Sequence, residues 1–129
     1  MTRLRVITLF LLLSSVPAYA EWVLIGTANG LTTYFDPATI RRKGDLVKMW
    51  GLWDFKTKET VGEKSFLSAK YQVEYDCAEE RTRQLAYLWF SDNMGKGTVV
   101  TSESNEGKWT PVSPDSLGET LWKVACSKQ

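Results

Sequence analysis

Cys77 and Cys126 are the side chains best suited to covalent chemistry in this 129-residue chain, and no other cysteine is present. They stand 49 positions apart, whereas redox-active dithiols usually sit as Cys-x-x-Cys, so the spacing points to a structural bridge rather than a redox pair. Histidine is absent. That removes Ser-His-Asp triads, histidine-activated thiols and histidine-bound metals together. The carboxylates are scattered, and Glu79-Glu80 stands beside Arg81 and Arg83. No spacing sets two of them opposite each other for acid–base work. Gly95-Lys96-Gly97-Thr98 has phosphate-loop residues without the strand–loop–helix context, and no Asp-rich calcium loop occurs. No catalytic residue, metal ligand set or cofactor is expected.

Binding is the better prospect. The chain has 6 tryptophans, and in a small domain most of them must fill the core. The stretch around Trp50 and the stretch around Leu88 each place large apolar groups on both faces of a strand. One face stays uncovered by a single helix, so one set from each must share it. The set Trp50, Leu52, Leu88 and Phe90 is the candidate partner surface, for a protein partner or a weak homodimer centred on Trp50. Arg41-Arg42-Lys43 is the one dense basic run. It could meet acidic glycans or phospholipid headgroups, or present Lys43-Gly44-Asp45 as an integrin-type turn; the simpler reading is a solvated turn. Total charge is balanced, 16 basic against 15 acidic residues, which argues against nucleic acid as a partner.

The elements that must position these residues follow from pattern. Residues 1–20 have the form of a secretory signal peptide: Arg3 and Arg5, an apolar run from Val6 to Leu13, then Ala18-Tyr19-Ala20. The run is too short to span a bilayer, and no later stretch qualifies. Residue 21 is Glu, so no lipoprotein cysteine follows the cleavage point. The remainder, 21–129, reads as one domain outside the cytoplasm, where oxidation favours joining Cys77 to Cys126. Closing a loop of that length contributes roughly 4 kcal/mol in the chain-entropy account.

Most of that domain alternates with period two. Strands are expected at 22–27, 31–36, 46–57, 65–77, 83–91 and 98–102, with Asn29-Gly30 as a hairpin turn and Lys58 to Lys64 as a polar connection. The end of the chain changes period. Ser113 can cap, Pro114 suits the first position, and Leu117, Leu121, Val124 and Ala125 form one stripe, predicting a helix from about Pro114 to Cys126. A Cys77–Cys126 bridge would lay that helix on the face bearing Tyr71, Val73 and Tyr75, leaving Lys70, Gln72 and Glu74 toward water on the other. The expected class is α+β, an antiparallel sheet of about six strands with one C-terminal helix.

Several of these features occur together in a familiar order: Trp22 opening a strand, Tyr34-Phe35-Asp36-Pro37 with Ile40, Trp50 within a long strand, Tyr75-Asp76-Cys77, Trp109, and Val112-Ser113-Pro114 before the final helix. So ordered, the chain resembles the surface-adhesin protein E family of Gram-negative bacteria over residues 21–126. The resemblance implies a six-stranded antiparallel sheet with a disulfide-tied helix on its concave face. It also implies dimerisation and binding of host matrix and plasma proteins by a surface lipoprotein. Glu21 departs from the lipoprotein pattern. Two functions are therefore carried forward: an exported, non-enzymatic adhesive module that binds a protein, or a periplasmic accessory or inhibitor-like protein that binds a small ligand or another periplasmic protein.

Overall fold

The computed structural model describes residues 21–127, so the leader expected over 1–20 lies outside the described residues. Eight strands and one helix follow in order: β1 Val23–Ala28, β2 Leu31–Phe35, β3 Arg41–Lys43, β4 Leu46–Val61, β5 Lys64–Asp76, β6 Arg81–Phe90, β7 Val99–Glu103, β8 Thr110–Pro111 and α1 Leu117–Cys126. All strands join one antiparallel sheet. Its main path is β1-β2-β4-β5-β6-β7, with β3 beside β4 and β8 beside β6. The α+β class and the terminal helix are as expected; the sheet has eight strands rather than six.

The six expected strands are the main path, and the two extra ones have local causes. Asp36-Pro37 stops β2, since proline has no N–H for the ladder. The Asp36 carboxylate accepts a hydrogen bond from the Ala38 N–H at 3.0 Å, starting a 3-10 turn over Pro37–Thr39. The chain then returns to the same edge of β4, pairing Arg41 with Lys48 and Lys43 with Leu46. The expected charged turn therefore becomes a short strand. β8 is a two-residue pairing, Arg81 with Pro111 and Thr82 with Thr110, too brief to leave a pattern.

Asn29 and Gly30 both adopt positive φ, 51° and 78°, as the β1–β2 hairpin requires. The polar run after Thr57 is not the connection it resembles. After a bulge between Asp54 and Glu59 the ladder resumes, pairing Glu59 with Phe66 and Val61 with Lys64. Side-chain polarity does not prevent pairing, because the ladder is made by the backbone. The helix starts three residues later than expected. Ser116, not Ser113, is its cap: Ser116 Oγ accepts from the Glu119 N–H at 3.1 Å, while the Glu119 carboxylate accepts from the Asp115 N–H at 2.9 Å. This Ser-x-x-Glu arrangement satisfies orphan donors at the helix start, with the carboxylate reaching one residue beyond the usual capping box.

α1 lies on the face expected from the cysteines. Cys77 and Cys126 are bonded, with Cα atoms 5.7 Å apart. Val47, Met49, Tyr75, Leu121 and Ala125 form the buried core between helix and sheet, flanked by Ile25, Phe35, Val73 and Trp122. The Trp122 indole N–H donates to the Asp76 carbonyl at 3.0 Å, fixing the helix to the end of β5. Ten helical residues span only about 15 Å, against about 43 Å for the 13 residues of β5. The helix therefore covers only part of its own face. Beyond the helix, Trp53, Phe55, Phe66, Tyr71, Tyr87 and Trp89 form a chain of ring contacts with centroids 4.2–6.5 Å apart.

Candidate functional site

The face opposite the helix is built by register. Trp50 pairs with Gln72, Leu52 with Lys70, and Lys70 in turn with Leu88, so all point to one side. β6 carries a bulge: Gln72 pairs with Ala86 but Val73 with Gln84, leaving Leu85 as the extra residue. A bulge shifts the alternation by one. It therefore sets Arg81 and Arg83, odd-numbered, on the same face as Leu88 and Phe90, even-numbered.

The four candidate partner residues do share this open face, and Trp50 is not under the helix. They do not share its exposure. Leu52 is fully buried and Phe90 is 8% exposed, so these two cannot be contact residues as they stand. Their cover comes from polar neighbours. Lys70 extends across the face with Nζ 5.2 Å from the Phe90 ring centroid and 5.9 Å from that of Trp22. A lysine stem laid on rings buries apolar surface while its ammonium stays wet. The turn at Asn93–Gly95 closes one end. Asp54 Oδ1 accepts from the Asn93 side chain at 3.0 Å and the Met94 N–H at 2.7 Å, and Ser68 Oγ accepts from the Gly95 N–H at 2.8 Å. Lys70 and Glu74 are accordingly not simply turned to water. Glu74 is buried against Arg83.

Trp50 and Leu88 remain half-buried and accessible. They line a hollow of about 300 Å³ with Trp22, Asp36, Thr39, Lys70 and Phe90. Its floor is held by Thr39, whose Oγ1 donates to the Asp36 carbonyl at 2.7 Å and accepts from the Trp50 N–H at 3.0 Å. A second hollow, about 670 Å³, shares Trp50, Gln72 and Leu88 and runs to Ser102, Glu103 and Asn105. A third, about 710 Å³, shares Gln72 and is lined by Arg41, Arg42, Lys43, Leu46, Lys48 and Glu74. The basic run and the apolar anchor, separate in sequence, thus meet along one continuous face.

Charge is distributed unevenly along it. Arg83 pairs with Glu74 at 2.8 Å and with Glu106 at 3.4 Å, and Arg81 pairs with Asp76 at 2.9 Å. The Trp109 ring lies 4.6 and 4.4 Å from the Arg81 and Arg83 guanidinium carbons. Burial disfavours the charged Asp76 carboxylate, but Arg81 and the backbone N–H groups of Glu79 and Ala78 outweigh it and hold the carboxyl below its ordinary value. These arginines are thus engaged. By contrast, no ion pair among the described residues involves Arg41, Arg42, Lys43 or Lys48. Arg41 Nη1 is anchored instead on the Ala38 and Ile40 carbonyls, both at 2.9 Å, and Arg42 Nε on the Gly44 carbonyl at 3.0 Å. Anchored guanidiniums hold their positive charge at fixed positions without cancelling it. The pattern missed by sequence reasoning is the pairing of Lys48 with Arg41 across the β3–β4 edge, which could have been sought only once β3 was known.

An antiparallel sheet with one face under a disulfide-tied helix and the other open defines a small domain of the α+β class. A family profile for surface-adhesin protein E matches residues 22–127, and the chain belongs to that family. Among solved structures it is similar to crystal form II of Haemophilus influenzae protein E, with a TM-score of 0.64 and 13% identity over 85% of this chain and 97% of that one. Protein E from non-typeable Haemophilus influenzae superposes with a TM-score of 0.62 and 13% identity, covering 86% of this chain and 80% of that one. At such identity the structures support the fold. No curated protein matches the chain in sequence. Among the described residues no helix is long and apolar enough to cross a membrane.

Proposed function

We propose that the chain is an exported, non-enzymatic adhesive module whose open sheet face binds a protein. The observation that carries this reading is the continuity of one face from the Trp50–Leu88 hollow to the cluster Arg41, Lys43 and Lys48, none of them in an ion pair among the described residues. Interface energetics concentrate in half-buried tryptophans and arginines, while surrounding charges govern encounter and orientation. The partner that fits presents an apolar side chain to Trp50 and carboxylates to the basic end, as an acidic segment of a host or matrix protein would. Membership of an adhesin family supports the protein-binding role, and the signal-peptide pattern read in residues 1–20 of the sequence supports export. A weak homodimer through the same face belongs to this reading.

Surface plasmon resonance against immobilised matrix proteins tests it, with wild type, Trp50→Ala and the double variant Arg41→Ala/Lys43→Ala. Trp50→Ala should weaken binding about 30-fold, as loss of a central anchor does. The double variant should chiefly slow association and remove much of the salt dependence. Binding that is indifferent to both variants would place the partner elsewhere. Sedimentation of wild type and Trp50→Ala over a concentration series decides the homodimer.

A further inference from the structure

At the basic end of the open face, the pairing of β3 with β4 sets like charges together. Arg41 lies directly opposite Lys48, and Lys43 stands two positions along β3, so the three side chains project to one side. All three are exposed, and they line one hollow of about 710 Å³. Like charges directly opposite each other on neighbouring strands are destabilising. The register offers a remedy, since Lys48 pairs with Glu74 across the β4–β5 ladder. That carboxylate is engaged elsewhere: Glu74 Oε1 accepts from Arg83 Nε at 2.9 Å and lies 2.8 Å from Arg83 Nη2. No ion pair among the described residues reaches Arg41, Lys43 or Lys48. The hollow thus gathers positive charge that the chain itself does not neutralise.

Arg41 is also held in a receptive geometry. Its Nη1 donates to the Ala38 and Ile40 carbonyls, both at 2.9 Å. The other edge of the guanidinium, Nε with Nη2, makes no hydrogen bond among the described residues. Such an edge is the fork that meets two oxygens of an oxyanion at once. Anchoring its far end in the free protein lowers the entropy lost on binding. Two positions beyond Lys48 on β4, about 7 Å along the same face, stands the half-buried, accessible Trp50. Gln72, opposite Trp50, borders both this hollow and the one that Trp50 lines.

We infer, resting on the reading of this face as protein-binding, that the site receives a sulfated tyrosine of the partner, its ring against Trp50 and its sulfate between the Arg41 fork and Lys48. An aryl group ending in an oxyanion joins the apolar and basic positions with one side chain, whereas an aspartate or glutamate engages only the basic one. Sulfate is favoured over phosphate because an aryl sulfate carries one charge and a phosphate nearly two at neutral pH, so less desolvation is needed beside an indole. A sulfated glycan chain fits less well, because the cations surround one hollow. Lys70, farther along this face, is laid over the Trp22 and Phe90 rings and does not extend a track of charge.

Heteronuclear NMR titration of the purified, disulfide-intact protein tests the proposal with one pentapeptide, glycine–glutamate–X–glutamate–glycine, in which X is sulfotyrosine, tyrosine, glutamate or phosphotyrosine. The sulfotyrosine peptide should give saturable shifts at Arg41, Lys48, Gln72 and the Trp50 indole. It should bind at least about tenfold more tightly than the tyrosine and glutamate forms, and more tightly than the phosphotyrosine form. Arg41→Lys keeps the charge but loses the fork, and should weaken the sulfotyrosine peptide about tenfold. Trp50→Ala should remove most of the advantage of sulfotyrosine over glutamate, while Lys58→Gln, on the exposed far end of β4, should change nothing. Tighter binding of the phosphotyrosine peptide would overturn the choice of sulfate. Equal affinity for the sulfotyrosine and tyrosine peptides, or indifference to Arg41→Lys, would overturn the oxyanion site, and absence of saturable shifts at millimolar peptide would end it. If immobilised matrix proteins bind through Trp50 while no peptide does, the protein-binding reading stands and this proposal falls.

Discussion

The two faces of the sheet bury aromatic and aliphatic residues by different means. On the helix side, α1 closes over Val47, Met49 and Tyr75 with Leu121 and Ala125, and a covalent bond secures the contact. On the open side, Leu52 and Phe90 are buried with no second layer above them. A lysine stem and a hydrogen-bonded turn supply the cover. A packed helix gives a dry core whose residues are committed to stability. Cover by long polar side chains leaves neighbouring groups such as Trp50 and Leu88 reachable. That difference underlies the proposal that the second face meets a macromolecular partner.

Removing the tether should produce the largest effect on the first face. Cys126→Ser is expected to destabilise by about 2–5 kcal/mol, the range for a lost native bridge in a small exported domain, as read from denaturant unfolding. If stability were unchanged, the helix-side core would not depend on its covalent tie. The contrast between faces can be sharpened with adjacent residues of β4. Met49→Ala, under the helix, should cost about 2–5 kcal/mol through lost burial and the cavity it leaves. Trp50→Ala, one residue later, should cost less than half as much and act instead on partner affinity. Equal stability losses would erase the distinction between a structural face and a binding one.

The smallest effect is a pH dependence at Asp76 on the open side. Its carboxyl is held below the ordinary value of 3.8 in the folded protein. A depressed folded value favours the native state above the unfolded pKa, and that contribution is lost as pH falls through the folded value. Acid unfolding of the wild type should therefore steepen below about pH 4. Asp76→Asn should flatten that part of the profile and leave the alkaline side unchanged. An identical acid profile in the variant would show that the Arg81 pair adds nothing to the folded state.

Particular elements show how far pattern alone reaches. The alternation of residues from Leu67 to Cys77 identified β5 and its two faces, and the spacing of Leu117, Leu121, Val124 and Ala125 identified α1. The start of the helix was misplaced because Ser113-Pro114 and Ser116-x-x-Glu119 are both acceptable openings, and only the hydrogen bonds choose. β3 was invisible because three charged residues on an edge have no apolar face to alternate. Of the candidate surface, Trp50 and Leu88 stay accessible, while the burial of Leu52 and Phe90 depends on Lys70 and on a turn about 40 residues from Asp54 in sequence.

Composition and spacing by themselves determined the class of fold, the pairing of two cysteines and the face on which the helix lies. Each is a local or covalent property: side chains alternate along a strand, and a bond between Cys77 and Cys126 can join only facing groups. Tertiary structure decided the rest. The bulge at Leu85 brought Arg81 and Arg83 to the face of Leu88, and the return of β3 to the edge of β4 added Arg41 and Lys43 to it. The shortness of α1 left Thr33, Tyr71 and Trp53 beside a hollow. Such outcomes depend on register and on relative element lengths, quantities set by cross-strand packing between residues distant in sequence.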